Sequence, residues 1–336
     1  MDESRLNRRR HKRKSWKRPV LLIILLLLLL VAVIVIYAAY QGFQAAEEAY
    51  NGLDRPGEKS ALRNEPVTIG EDPISLLLIG VETYATDGQN GRADTLVVVT
   101  LNPETNKMTM TSVPRDTRVN LSAEAVGQYA GFHKINAAYT YGSITGYGGN
   151  KLTVEAVEDT LQIPIDEYIA VNFKGFRNIV NALGGVTLNI KKGFWEKNIF
   201  NNNKRIYFEE GKTTLNGEEA LAFVRMRKRD VNTVYSRDER QRQFIQAAVD
   251  KAISVRTLFN LGEISNILGK NVETSLRPME IFKLMRTYAS LDSSQIQTIE
   301  VEGSDQRVGG SVYFIPSEEG LNQATGKLRE SLGISK

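Results

Sequence analysis

The 336-residue chain has no cysteine and only two histidines, His11 and His133. Without cysteine there is no disulfide framework, no thiolate nucleophile and no Cys-ligated zinc. That absence suits a bacterial extracytoplasmic domain that does not depend on oxidative folding. Two histidines leave a multi-His metal site or a conventional serine triad almost nothing to work with. Neither an HExxH motif nor a Walker loop occurs. Gly142, Gly146, Gly148 and Gly149 sit among Tyr and Thr with no preceding strand and no dinucleotide fingerprint, so they are expected to supply loop flexibility.

Positive charge is also scarce outside one place. The formal net charge is +4, but residues 1 to 18 hold Arg5, Arg8, Arg9, Arg10, Lys12, Arg13, Lys14, Lys17 and Arg18 against Asp2 and Glu3. Setting aside that local +7 leaves about −3 for the remainder, which gives no electrostatic case for nucleic acid. Val20 to Tyr40 carries no charged residue. As a helix rising ~1.5 Å per residue, it spans roughly the hydrocarbon core of a bilayer, so it is expected to be a transmembrane segment. It is longer than a secretory signal's apolar region and no Ala-x-Ala signal follows it. The basic tail keeps the N terminus cytoplasmic and sends the rest outside, and it also offers a contact to anionic membrane lipid.

The expected organisation is a cytoplasmic tail (1–19), a transmembrane helix (20–40), a polar extracytoplasmic stem (41–70) and one domain (71–336). The stem contains Pro56-Gly57, lacks sustained apolar periodicity, and is read as standoff from the membrane, partly helical over Ala45 to Tyr50. Ile74 to Val81, Thr95 to Leu101 and Lys107 to Val113 read as strands, two of them apolar enough to be covered on both faces. Further on, helices alternate with strands. A helix is expected over Leu152–Leu161 and a strand over Tyr168–Val171. A second helix follows, opened by Asn172 and closed by Gly184-Gly185, then a strand over Val186–Ile190. Asn216 and Glu219 form a capping-box pattern ahead of a short helix to Phe223, and longer helices are expected over 238–255, 278–290 and 318–331. This alternation predicts a layered α/β domain, a central mixed β-sheet flanked by helices, behind one N-terminal transmembrane helix.

What the chain does have is arginine in awkward places. Arg115 follows Val113-Pro114 at a strand end. Arg225 and Arg227 alternate with Val224 and Met226, so in an extended segment both guanidinium groups leave one face. Arg237, Arg240, Gln241 and Phe244 fall at i, i+3, i+4 and i+7, which puts a basic-amide cluster on one helix stripe near its N terminus. Cations there are disfavoured by the helix dipole unless a phosphate is bound. A guanidinium fork fits phosphate oxygens better than an ammonium does.

The strings LLLIGVE (76–82), GRADTLVVVTLNP (91–103), TMTSVPRDTRV (109–119) and HKINAAYTYG (133–142) come first. IDEYIAVNFKGFRNIVNALGGV (165–186), LNGEEALAFVRMRKRD (215–230) and SRDERQRQ (236–243) follow in order. Together they resemble the core motifs of the LytR-CpsA-Psr family. The resemblance implies an enzyme that moves a phosphorylated glycopolymer, teichoic acid or similar, from polyprenyl pyrophosphate to peptidoglycan outside a Gram-positive cell membrane. It implies that Arg115, Arg225, Arg227 and Arg237 surround the head group, with Arg92, Lys107 and Gln241 in support. It also implies Mg²⁺, or Mn²⁺ in its place, on Asp94 and Glu82. The Glu82 position is usually Asp in the family, so direct ligation and a water-mediated or different role both stay open for it. Asp116 and Asp230 are read as partners of arginines. Polyprenyl-pyrophosphate hydrolysis and non-catalytic binding of lipid-linked glycan are the alternative activities. A regulator is disfavoured, since 18 residues ahead of the membrane are too few for a helix-turn-helix domain.

Overall fold

The computed structural model describes residues 44, 47–83, 90–227, 235–253 and 271–334. The expected transmembrane segment, the basic tail and Asp230 lie outside the described residues. Among those described, no helix is long and apolar enough to cross a membrane.

The chain first lays down three apolar strands, β1 (Ile74–Glu82), β2 (Arg92–Asn102) and β3 (Lys107–Ser112). A hairpin follows, β4 (Arg118–Leu121) and β5 (Gly131–Lys134), with the short helix α1 (Ala123–Val126) inside it. Then come α2 (Ala137–Thr145), α3 (Gly149–Leu161), β6 (Glu167–Asn172) and α4 (Phe173–Ala182). A small β-lobe is built from β7 (Val186–Ile190), β8 (Phe194–Asn198), β9 (Lys204–Phe208) and β10 (Gly211–Leu215). Helices α5 (Gly217–Arg225) and α6 (Arg237–Ile253), strand β11 (Val272–Thr274) and helix α7 (Pro278–Thr287) lead to β12 (Ile296–Ile299). The hairpin β13 (Gly303–Val308) and β14 (Ser311–Pro316) and helix α8 (Glu318–Ser331) complete the fold.

The central sheet has the order β11-β6-β1-β2-β3-β12. It is mixed: β1 is parallel to β6 and antiparallel to β2, and β12 is parallel to β3. Side-chain alternation assigns its two faces. Leu77, Ile79, Leu96 and Val98 point to one face and pack with Leu152, Val157 and Leu161 of α3 and Leu328 of α8. Leu76, Leu78, Val97 and Val99 point to the other, toward Ile245 and Val249 of α6 and Ile281 and Leu284 of α7. The layered α/β expectation therefore holds, including strands covered on both sides.

Local signals worked where caps were strong. Asn172 accepts a hydrogen bond from the Gly175 amide and opens α4, while Gly184 and Gly185, both at positive φ, close it. Asn216 and Glu219 form the reciprocal capping box of α5. Two expectations are corrected. Gly142 and Gly149 are not flexible loop glycines, because they let α2 and α3 touch. A Cβ on Gly142 would lie 2.5 Å from the Gly148 carbonyl oxygen, and one on Gly149 would lie 2.4 Å from Ser143 Oγ. The described part of the stem is not a free standoff either. Leu53 is buried in the core. Arg55 is paired with Glu158 at 2.8 Å, and Arg63 with Asp166 at 2.6 Å. Asn51 donates to Glu273 at 3.1 Å.

Candidate active site

The centre of the site is Asp94, an acid buried in a strand whose middle is the apolar run Leu96–Val99. A kink at the end of β1, between Gly80 and Val81, shifts the register against β2 just where Asp94 lies. Past β3, Pro114 starts a tight turn in which Thr117 bonds back to the Pro114 carbonyl through both its amide (2.9 Å) and its hydroxyl (2.6 Å). The turn carries Arg115 toward Asp94, whose Oδ1 accepts from Arg115 Nη1. Asp94 Oδ2 accepts from Arg227 Nη2 at 2.6 Å, and Asn136 Nδ2 donates to Oδ1 at 3.3 Å. Burial alone would push the Asp94 pKa up. The guanidinium groups of Arg115, Arg227 and Arg237 outweigh it, and the carboxyl is held below its ordinary value. Asp116 is, as expected, an arginine partner, lying 3.5 Å from Arg115 Nε and 2.8 Å from Lys134 Nζ.

Arg225 and Arg227 do reach this region, but not along an extended segment. Arg225 is the last residue of α5, and the chain leaves the helix at Met226, where ψ turns to 134°. The apolar stripe Leu221, Ala222 and Val224 buries the helix through its final turn, so the alternating pattern was the end of a helix. Arg225 stacks on the Phe173 ring, 4.9 Å from its centroid. Burial lowers the pKa of both Arg225 and Arg227. Arg237 opens α6 and donates through Nε to the Val224 carbonyl at 3.3 Å. Its burial, with Arg227 beside it, pushes it down to about 10. Burial is the main cause for all three, and repulsion from neighbouring arginines adds to it for Arg227 and Arg237.

Arg240 does not join that cluster. It is fully buried and donates to the carbonyls of Phe223 (3.1 Å), Tyr235 and Met226. It ties the C-terminal end of α5 to the entry of α6, satisfying carbonyls that the helix leaves open. Gln241 is buried, its Nε2 donating to Thr95 Oγ1 at 3.0 Å.

From this polar centre an apolar cavity runs between the sheet and helices α6 and α7. Its inner part, about 180 Å³, is lined by Gly80, Thr95, Phe173, Arg225, Gln241 and Phe244, among others. The wider part, about 700 Å³, is lined by Leu76, Val99, Ile281, Leu284, Met285 and Tyr288, among others. The two share Leu78, Ile169 and Ile245. One stripe of α6 follows the whole path: Arg237 and Gln241 at the polar end, then Phe244, Ile245 and Val249.

Three further expected residues are not among the hydrogen-bond partners of Asp94. Glu82, at the end of β1, pairs in register with Arg92, which is exposed at the start of β2. The Glu82 charge acts on Arg225. Lys107 is a correction. It is exposed at the start of β3, at the end of the strand remote from Arg115, five residues of extended chain before Ser112. At ~3.3 Å per residue that distance is far beyond any side chain's reach to the cluster. Asn136 is the residue that sequence reasoning passed over. It is buried, bonds Asp94, and its backbone is stitched to Ala93 and Arg115. Its place in HKINAAYTYG was the available signal.

Among the described residues no group of three or more His, Asp or Glu side chains is suited to a metal. The donors nevertheless fit Mg²⁺ in its usual manner, with one or two carboxylates supplemented by phosphate oxygens and water. Asp94 is ionised, and its three hydrogen bonds leave one of roughly four lone-pair positions open.

The LytR_cpsA_psr family model matches residues 36–330. A curated relative, the polyisoprenyl-teichoic acid–peptidoglycan teichoic acid transferase TagV of Bacillus subtilis (strain 168), is 42% identical over 298 residues, covering 88% of this chain and 74% of its own. The crystal structure of B. subtilis TagV superposes with a TM-score of 0.67 at 40% identity, covering 79% of this chain and 99% of that one. A LytR-CPS2A-psr family protein, YwtF (TagT), solved with bound octaprenyl pyrophosphate lipid, gives 0.64 at 29% identity over 85% of this chain and all of that one.

Proposed function

Because the chain belongs to the LytR_cpsA_psr family, we propose that it is a phosphotransferase moving a phosphorylated glycopolymer, a teichoic acid or similar anionic polymer, from a polyprenyl pyrophosphate onto peptidoglycan. The observation that carries this is the junction at Arg225, which lines the apolar cavity and shares the electrostatic field of Asp94 and Arg227. An apolar tunnel ending on surplus guanidinium charge fits a ligand with a long hydrocarbon tail and a polyanionic head. An octaprenyl pyrophosphate has that shape, and it is what the related YwtF (TagT) structure holds.

In this reading the isoprenoid lies along α6 and the pyrophosphate rests between Arg115, Arg225, Arg227 and Arg237. A hydroxyl of peptidoglycan attacks the phosphorus on the glycan side. The new P–O bond forms as the bridging P–O bond breaks, and polyprenyl phosphate leaves. No nucleotide is required, since the pyrophosphate already supplies the driving force. The guanidinium groups stabilise charge on the transferring and leaving oxygens, and they are preorganised because Asp94 and Asn136 hold two of them through one carboxylate. Asp94 is a poor general base, being bonded to two cations with its pKa held down. Mg²⁺, held by Asp94 with Glu82 nearby and by the substrate's own oxygens, would neutralise the pyrophosphate and act as a Lewis acid. Residues 20–40 would anchor the domain on the outer face of the membrane in a single pass.

The test is a reaction of purified full-length protein with a polyprenyl pyrophosphate-linked disaccharide and peptidoglycan oligomers, followed by mass spectrometry. Glycan phosphate joined to peptidoglycan with release of polyprenyl phosphate is expected. Release with water as the sole acceptor would assign a pyrophosphatase. A protein that neither releases polyprenyl phosphate nor retains the lipid would overturn the proposal.

A further inference from the structure

Helix α7 is unusual for a helix roofing a cavity: none of its residues is buried. Ile281 and Leu284 face inward only part-way. On the outer side Met279, Phe282 and Met285 are 59%, 58% and 58% exposed, spaced three residues apart as one stripe. Exposed Arg277, Lys283 and Arg286 flank it. An outer apolar stripe with neighbouring cations describes a helix lying in a membrane interface.

Two further observations choose the occupant. Met285 belongs to the exposed stripe and also lines the wide part of the apolar cavity, so the stripe and the cavity mouth are continuous. Ala49 lines the same cavity from the stem, only nine residues after the uncharged run Val20 to Tyr40 ends. The stem is bridged at Tyr50 to Thr274, directly ahead of α7. With that run as the membrane anchor proposed above, nine residues of chain from Ala49 would keep α7 within a short chain length of the lipid surface.

We propose that α7 seats on the outer leaflet through Met279, Phe282 and Met285, with Lys283 and Arg286 among anionic headgroups, so that the cavity opens into the bilayer. This rests on the function proposed above and adds to it the route of the substrate: an isoprenoid passes from membrane to cavity without crossing water. Flexible methionines at the mouth suit a chain that slides through.

The absence of cysteine makes a single label unambiguous. Full-length protein carrying Met279→Cys with an environment-sensitive fluorophore is reconstituted into vesicles of phosphatidylcholine and phosphatidylglycerol bearing nitroxide-labelled acyl chains. Tyr207→Cys is the control, since Tyr207 is 67% exposed on β9 of the small lobe. The expected result is quenching of about two-fold or more at position 279 and little at 207, as for a side chain several ångströms into the interface. Equal emission at both positions would overturn the proposal, and so would a shielded label that the lipid nitroxide fails to quench, which marks a protein partner instead. Because quenching requires no substrate, it decides the membrane contact even for an enzyme whose transfer reaction fails. A second variant, Phe282→Glu, is expected to lower transfer from a membrane-embedded long-chain substrate by about ten-fold while leaving a detergent-dispersed short-chain substrate within about two-fold. Equal losses with both substrates would show a merely structural role and count against the proposal.

Discussion

At the scale of single residues, the site turns on one carboxylate that organises several cations. Arg227 gives Asp94 one of its amines at 2.6 Å and is only partly covered, which leaves the rest of its fork available to phosphate. A lysine keeps the charge but not the second parallel hydrogen bond. Arg227→Lys is therefore expected to cut transfer by about 10² while the protein stays folded, a loss of the size seen when one preorganised donor is removed from a transition state. Activity within a few-fold of wild type, measured beside an unchanged melting curve, would remove Arg227 from the head-group site. Asp94→Asn separates two jobs. As an anchor, the residue keeps one acceptor oxygen but loses the other and its charge, so one guanidinium is released, the second is held more weakly, and transfer should fall equally with Mg²⁺ and with EDTA. As a metal carboxylate, it should show a loss that EDTA reproduces in the wild type and that raised Mg²⁺ partly reverses. Glu82→Asp should be much milder than Asp94→Asn, since it keeps the negative charge that acts on Arg225 and shortens the side chain by only one methylene.

At the scale of elements, the positions of Arg225 and Arg227 depend on how α5 ends. Arg240 supplies that ending from α6 by donating to the carbonyls of Phe223, Met226 and Tyr235. Arg240→Met would leave three buried acceptors unpaired, and each such group costs about 1–3 kcal/mol. Stability should fall by at least 3 kcal/mol on that basis, and transfer should fall with it although Arg240 touches no substrate. Chemical denaturation together with kinetics would check both. A variant of wild-type stability would mean that water or a neighbour replaces the guanidinium. Strand β6 offers a pH test. Burial, assisted by the nearby charge of Glu280, pushes Glu167 up to about 8. The folded state thus binds a proton more tightly than the unfolded chain, whose carboxyl has the ordinary 4.5. The contribution is fully present below about pH 4.5 and is lost as pH rises through about 8. Glu167→Gln should flatten the decline of stability between those limits, read as melting temperature against pH. An unchanged slope would remove Glu167 as its source.

At the scale of the whole molecule, the stem is part of the domain. Arg63 holds Asp166 with two bonds, Nε to Oδ1 at 2.9 Å and Nη2 to Oδ2 at 2.6 Å, and Asp166 also accepts from the amide and hydroxyl of Ser75. Both partners are largely buried. Breaking such a pair from one side costs about 3–5 kcal/mol, because the remaining charge stays out of water. Arg63→Met should destabilise the fold by roughly that amount. It should also make the segment before residue 71 open to proteolysis ahead of the rest. Cleavage at the wild-type rate would mean that the remaining ties, Arg55 to Glu158, Asn51 to Glu273 and buried Leu53, suffice to hold the stem. The docking matters for function, since it fixes the apolar cavity close to the segment expected to cross the membrane.

The sequence by itself determined the elements and the chemical class of the site. Apolar runs such as 74–81 specify strands covered on both faces, because period and hydrophobicity are local properties. Asn172, Asn216 and the pair Gly184-Gly185 mark helix ends, because a cap is satisfied within three or four residues. The arginines at 115, 225, 227 and 237 suggested an anion site, and the ordered motifs, through which Asp94 was singled out, pointed to the family. Tertiary structure decided which arginines gather at Asp94. Arg237 and Arg240 share a helix three residues apart, yet one joins Asp94's field and the other spends its donors on backbone carbonyls of α5. Lys107 and Arg115 bracket one strand, and its length alone separates them. Asn136, the stem's salt bridges and the cavity along α6 all depend on partners tens to hundreds of residues away. Burial and hydrogen bonding across such distances are set by packing, which no local pattern encodes.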